Sequence, residues 1–135
     1  MQTAAPDLQN FAARYTAAWC SQDAAQVAAF FSPNGSLSVN DGAPAIGRDA
    51  IQNTVQSFMT AFPDLQVILD NLVVKPDRVE YHWTLVGTNT GPGGTGKPVH
   101  ISGMENWKLW KDGLIAISEG EFDAADYQRQ LGLTS

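Results

Sequence analysis

Apolar positions recur every third or fourth residue over the first half of the chain and every second residue over the rest. Residues 6–19 place Leu8, Phe11, Tyr15, Ala18 and Trp19 on one stripe at helical spacing. Ser21 can cap a second helix whose apolar face is Val27, Ala28 and Phe31, with "SPNG" at 32–35 ending it. A third helix from about Asp49 turns Ile51, Val55, Phe58, Met59 and Phe62 inward and stops at Pro63. Between the second and third helices, "SLSV" predicts a short strand.

After Pro63 the period changes to two. "LQVILDNLVVK" (65–75), "DRVEYHWTLVGTNTG" (77–91), "VHISGMENWKLWK" (99–111) and "LIAISEGEFD" (114–123) are rich in β-branched and aromatic residues. Turn chemistry such as "KPD", "GPGGTGKP" and "KDG" separates them, so the pattern predicts an antiparallel meander. A short last helix is expected over Ala124 to Leu131, with Asp123 as a candidate N-cap. Helices followed by strands give an α+β fold, with helices packed on one face of a curved, mostly antiparallel sheet. No linker or repeat divides the chain, and residues 1–135 are expected to form one domain.

Strand parity singles out the acids. Val79, Tyr81, Trp83 and Leu85 share one face with Asn89, and Ile101, Gly103, Trp107 and Leu109 share one with Glu105. An inward carboxyl between Ile101 and Trp107 is costly unless it is paired, protonated or beside a cavity. If the last strand stays regular, Ile115 and Ile117 are followed on the same face by Glu119, Glu121 and Asp123. Tyr15 adds a hydroxyl on a buried stripe, and a buried hydroxyl needs a partner. Trp19, Met59, Phe62, Trp83 and Trp107 are large apolar groups that can form either core or ligand wall.

Composition narrows the function classes. The 135 residues are 44% hydrophobic and 16% charged, which describes a globular chain. With 8 Lys and Arg against 14 Asp and Glu, and no basic run, nucleic-acid and anionic-membrane partners are disfavoured. The single cysteine, Cys20, forms no internal disulfide, and "MQTAAPDLQNF" has no charged start or apolar core of a signal peptide. No run approaches the ~20 apolar residues of a membrane span. A soluble, cytoplasmic protein is therefore expected. His82 and His100 lack a second ligand at metal spacing and fall on the polar sheet face, so no metal is expected. "GPGGTGKP" matches a phosphate-loop pattern literally. Pro98 stands where Ser or Thr would be needed and a strand follows, which leaves a hairpin loop.

"FPDL", the "GTNTG" before "TGKPV", "DGLI", and Asp123 preceding a terminal "QLG" together resemble the SnoaL-like polyketide cyclases, from about Phe11 to Gly132. That family belongs to a superfamily of cone-shaped α+β folds that includes nuclear transport factor 2 and ketosteroid isomerase. The resemblance implies cofactor-free chemistry, with an aspartate at the place of Asp123 as acid/base for an intramolecular aldol closure. It also implies a homodimer formed through the outer sheet face, near His82, Thr84, His100 and Ser102. The chain departs from the family at Asn89, which stands where a histidine is usual, and at Glu119, in what is usually an aromatic wall. Compared with ketosteroid isomerase, Tyr15 resembles the oxyanion tyrosine and Glu105 falls at the protonated carboxyl, while Val39 occupies the place of the base.

The reading is a cofactor-free cyclase or isomerase for a small apolar carbonyl compound. Asp123 and Glu105 would handle protons. Tyr15, Asn89 and Glu119 would bind substrate alongside the wall of Trp19, Met59, Phe62, Trp83 and Trp107. The alternative is a small-molecule binding protein of the same fold without turnover.

Overall fold

The computed structural model describes residues 8–109 and 113–132. The elements run α1 (Leu8–Cys20), α2 (Ala24–Ala28), β1 (Phe31–Val39), β2 (Ala45–Ile46), α3 (Arg48–Ala61), β3 (Gln66–Val74), β4 (Val79–Thr88), β5 (Pro98–Leu109), β6 (Ile115–Phe122) and α4 (Ala124–Leu131). The expected start of the first helix at residues 6–7 and the tail of the third strand at 110–111 lie outside the described residues. No helix among the described residues is long and apolar enough to cross a membrane.

The strands form one six-stranded sheet in the order β2-β1-β6-β5-β4-β3. β3, β4, β5 and β6 are the expected antiparallel meander, and β1 joins its far side parallel to β6. The apolar stripes of α1 and α3 supply Phe11, Tyr15, Ile51, Val55 and Met59 to a core closed by Val79, Tyr81, Leu85, Ile101 and Trp107 from the sheet. His82, Thr84, His100 and Ser102 point to the opposite face, where the Thr84 hydroxyl donates to Asp70 at 2.5 Å.

The second helix is shorter than the pattern predicts. Asp23 caps it, accepting from Ala25 N at 3.1 Å, while the Ser21 hydroxyl donates back to the Ala18 carbonyl at 2.6 Å. Phe31 opens β1, and "SPNG" lies inside that strand rather than ending a helix. Pro33 cannot donate to a ladder. The pairing of β1 with β6 accordingly jumps between Phe31 and Ser36.

A second irregularity matters more. Leu109 pairs with Ile115 and Lys108 with Ile117, so Ala116 is an extra residue bulged out of β6. One inserted residue moves every later side chain to the other face. Ser118, Gly120 and Phe122 therefore face the helices, and the expectation of an inward Glu119 and Glu121 is corrected to exposed carboxylates on the outer side. "GPGGTGKP" closes the β4–β5 hairpin with no helix after it. Asn89 anchors this loop: its Oδ1 accepts from Thr95 N at 2.7 Å and its Nδ2 donates to the Ala61 carbonyl at 3.2 Å. Gly91 is required there, because a Cβ would lie 2.0 Å from the Thr60 carbonyl oxygen.

Asp123 is exposed and caps α4, accepting from Asp126 N at 3.0 Å. Its substitution by alanine should lower stability by about 1 kcal/mol, whereas asparagine, an equally good cap, should leave it nearly unchanged. Urea unfolding of both variants checks this. Equal losses in the two would mean that charge rather than capping sets the effect.

Candidate functional site

Glu105 occupies the centre of β5, with Tyr81 beside it on β4 and Gly120 beside it on β6. The side chain is 7% exposed and points to the helices. Three donors from three elements converge on its Oε1: the Ser118 hydroxyl from β6 at 2.7 Å, the Trp107 indole N–H from β5 at 2.9 Å and the Tyr15 hydroxyl from α1 at 3.0 Å. An indole nitrogen can only donate, so Oε1 must accept. Among the described residues, Oε2 has just the longer approach of the same Tyr15 hydroxyl, at 3.3 Å. One carboxyl oxygen is thus saturated, and the other retains capacity for a ligand or a proton.

Burial raises the Glu105 pKa above the usual carboxylate value, and the bonds from Trp107, Ser118 and Tyr15 pull in the opposite direction without cancelling it. Burial, and then the neighbouring Glu105 charge, push Tyr15 well above its ordinary value, so it remains a neutral hydroxyl. Aromatic packing fixes these donors. Tyr15 meets Trp107 edge-on at 5.1 Å and Tyr81 edge-on at 5.3 Å, and Tyr81 stacks on Trp107 at 4.8 Å. The Thr16 hydroxyl spends its hydrogen on the Ala12 carbonyl at 2.8 Å, so the Tyr81 hydroxyl donates to Thr16.

Glu105 also borders a cavity between the sheet and the helices. The cavity has a volume of about 60 Å³, several times the ~10–15 Å³ that one water requires. Leu37, Val39, Leu85, Ile101 and Gly120 line it from the sheet. Aromatic side chains supply much of the remaining wall: Trp19 and Phe58 from α1 and α3, Tyr81 and Trp83 from β4, Phe122 at the end of β6, and Tyr127 from α4. Among these lining residues Glu105 is the sole carboxyl. Trp83 lies across β5 because its partner there is Gly103, where a Cβ would come within 2.5 Å of the indole Cζ2.

The structure brings together part of the predicted set. Trp19, Trp83 and Glu105 line the cavity, while Tyr15 and Trp107 sit one layer behind and hold Glu105. Met59 and Phe62 are core residues away from the lining, and Asn89 is spent on the hairpin loop. Glu119 and Asp123 are exposed and outside the lining. Sequence reasoning missed Ser118, Phe58, Phe122 and Tyr127 as site residues. Ser118 could be found only by allowing for the bulge at Ala116, whereas Phe58 was already on the inward stripe of the third helix. Among the described residues no group of three or more His, Cys, Asp or Glu side chains is arranged to hold a metal ion.

A family profile described as a SnoaL-like domain matches residues 12–117. No curated protein sequence matches the chain significantly. TsrD from Streptomyces laurentii superposes with a TM-score of 0.81 at 21% identity, over 98% of this chain and 100% of that one. A hypothetical protein with a ketosteroid isomerase-like fold from Catenulispora acidiphila, in complex with trimethylamine, gives 0.80 at 16%, over 97% and 96%. SalBIII, an epoxide hydrolase/cyclase-like enzyme in salinomycin pyran-ring formation, gives 0.75 at 17%, over 87% and 92%. The matched span covers most of the chain: it belongs to the SnoaL-like domain family.

Proposed function

We propose that the protein catalyses cofactor-free acid–base chemistry, a cyclisation or isomerisation, on a small apolar carbonyl compound, with Glu105 as the group that moves the proton. The observation that carries this reading is a single carboxyl, buried and raised in pKa, bordering an apolar cavity with one oxygen pinned and one left with capacity. A carboxylate made more basic by burial is better matched to removing a proton from carbon next to a carbonyl. In the forward step the C–H bond breaks, its electron pair moves onto the carbonyl oxygen as an enolate, and the proton resides on Glu105. In an isomerisation the same proton then returns to another carbon; in a ring closure the enolate carbon adds to a second carbonyl of the same molecule, whose π pair moves onto its oxygen, and the proton goes to that alkoxide. One carboxyl suffices for both halves because it acts first as base and then as acid. The cyclase-like neighbour and family membership are consistent with this chemistry.

Asp123 takes no part in this scheme. As an exposed cap outside the lining it has neither the dry surroundings nor the approach to a bound molecule that Glu105 has. Ser118, Trp107 and Tyr15 are positioning residues: they fix which oxygen of Glu105 can exchange a proton.

Glu105→Gln retains an oxygen for the three donors but cannot carry a proton. In D2O, wild-type protein should accelerate exchange of the α-protons of 2-tetralone, followed by proton NMR. The Gln variant should lose at least about 100-fold of that acceleration, the usual scale of a general base. Equal exchange by both proteins would overturn the assignment and leave a binding module.

Stability should carry the same signature. Because the folded value of Glu105 is raised, the native state binds more protons than the unfolded chain between the two values. Its contribution is present below about pH 4.3, the ordinary Glu range, and is lost as pH rises through the higher folded value. Denaturant unfolding as a function of pH should show this loss in wild type and not in Glu105→Gln. The same slope in both proteins would place its source elsewhere.

A further inference from the structure

Trp83 lines the proposed ligand cavity and carries an uncommitted hydrogen-bond donor. Its indole Nε1 is shielded from solvent and has no hydrogen-bond partner among the described residues. Buried N–H groups are nearly always paired, and an indole nitrogen has no acceptor role to fall back on. The contrast with Trp107 is direct, because that indole N–H is satisfied by Glu105 at 2.9 Å. The two tryptophans share the inward face of adjacent strands, and one is built into the network while the other is left open.

The neighbours of Trp83 place its ring at the edge of the cavity. Trp83 pairs with Gly103, two residues before Glu105 on the same face of β5. The missing side chain at 103 lets the indole lie over the strand, where any Cβ would meet Cζ2 at 2.5 Å. On the other side the ring meets Phe122 edge-on at 6.2 Å. A diagonal pair across neighbouring strands stands roughly 7–8 Å apart at the backbone, within reach of one small molecule touching both side chains. The other cavity-lining polar group on β4, the Tyr81 hydroxyl, is already used by Thr16.

We infer that Trp83 is a specificity-determining residue, whose indole N–H turns towards the cavity and donates to an acceptor oxygen of the bound molecule. This deepens the proposed function and rests on it for the identity of the site. It assigns the ligand a hydrogen-bond acceptor, such as a carbonyl oxygen, placed so that the adjoining carbon lies towards Glu105. In the reaction this donor would face the oxygen on which enolate charge develops. A hydrocarbon of the same shape fills the cavity without engaging the N–H.

The test uses the full-length, 15N-labelled protein with two probes of one shape, 2-tetralone and tetralin. The indole N–H resonance of Trp83 is assigned by its loss in Trp83→Phe. On titration, 2-tetralone should move that resonance downfield and tetralin should not. Trp83→Phe should weaken 2-tetralone binding by about five-fold, the scale of one net hydrogen bond, with tetralin binding changed less than about two-fold. The inference is overturned if 2-tetralone leaves the Trp83 resonance in place, if the Phe variant weakens both probes alike, or if neither probe binds. Should the variant fail to fold, the Trp83 resonance is assigned in the wild type by its through-space contact with the Phe122 ring, and its shift still decides. These readouts are of binding, so they remain informative if Glu105 proves inert in proton exchange, and the two readings fail separately.

Discussion

The bonding of the Glu105 carboxyl organises this molecule. A carboxyl in the interior of an α+β core is expensive unless its oxygens are bonded. Here the bonds come from a helix, from its own strand and from the next strand, through Tyr15, Trp107 and Ser118. The same contact therefore fixes how α1 sits on the sheet and how β5 and β6 are registered. Removing any donor costs one of these bonds and loosens a packing contact. Because all three donors choose one oxygen, the network is asymmetric, and the asymmetry leaves Oε2 with its capacity largely unused.

The room beside the carboxyl has an equally local origin. Gly120 stands across from Glu105 on β6, and Gly103 lies under Trp83, so the inward face lacks side chains where a regular sheet would fill the core. Large rings supplied by α1, α3, β4 and α4 close the space from the other side. The bulge at Ala116 is what brings Ser118 and Gly120 inward together. A regular β6 would turn Glu119 inward in their place, adding a second buried carboxyl close to the first. One extra residue in a strand thus separates a satisfied acid from a pair of mutually repelling ones.

Much of the fold was legible from residue patterning. The stripes of α1 and α3 and the alternation of β4 and β5 are long and regular, and their inward sets are those observed, whereas β3 carries a bulge at Asp70. Parity alone placed Glu105 in the interior, because the strand around it has no irregularity. Reading failed where the backbone leaves its period. Pro33 and Asn34 lie in an interrupted strand although their turn chemistry predicts a helix end, and Ala116 gives no compositional hint of a bulge. Asp123 illustrates a different difficulty. Its capping role was readable from "FDAAD", yet the resemblance to cyclases drew attention to the same carboxyl for chemistry. Burial, which sequence does not report for a strand end, distinguishes it from Glu105.

The central claim is that Glu105 is held in surroundings that favour its protonated form. Its side-chain carboxyl carbon, labelled with 13C and assigned by loss in Glu105→Gln, can be followed by NMR as pH is varied. The account predicts a titration midpoint clearly above the ~4.3 of a free glutamate. A midpoint at or below that value would mean that the three donors outweigh burial, and would contradict the role given to Glu105.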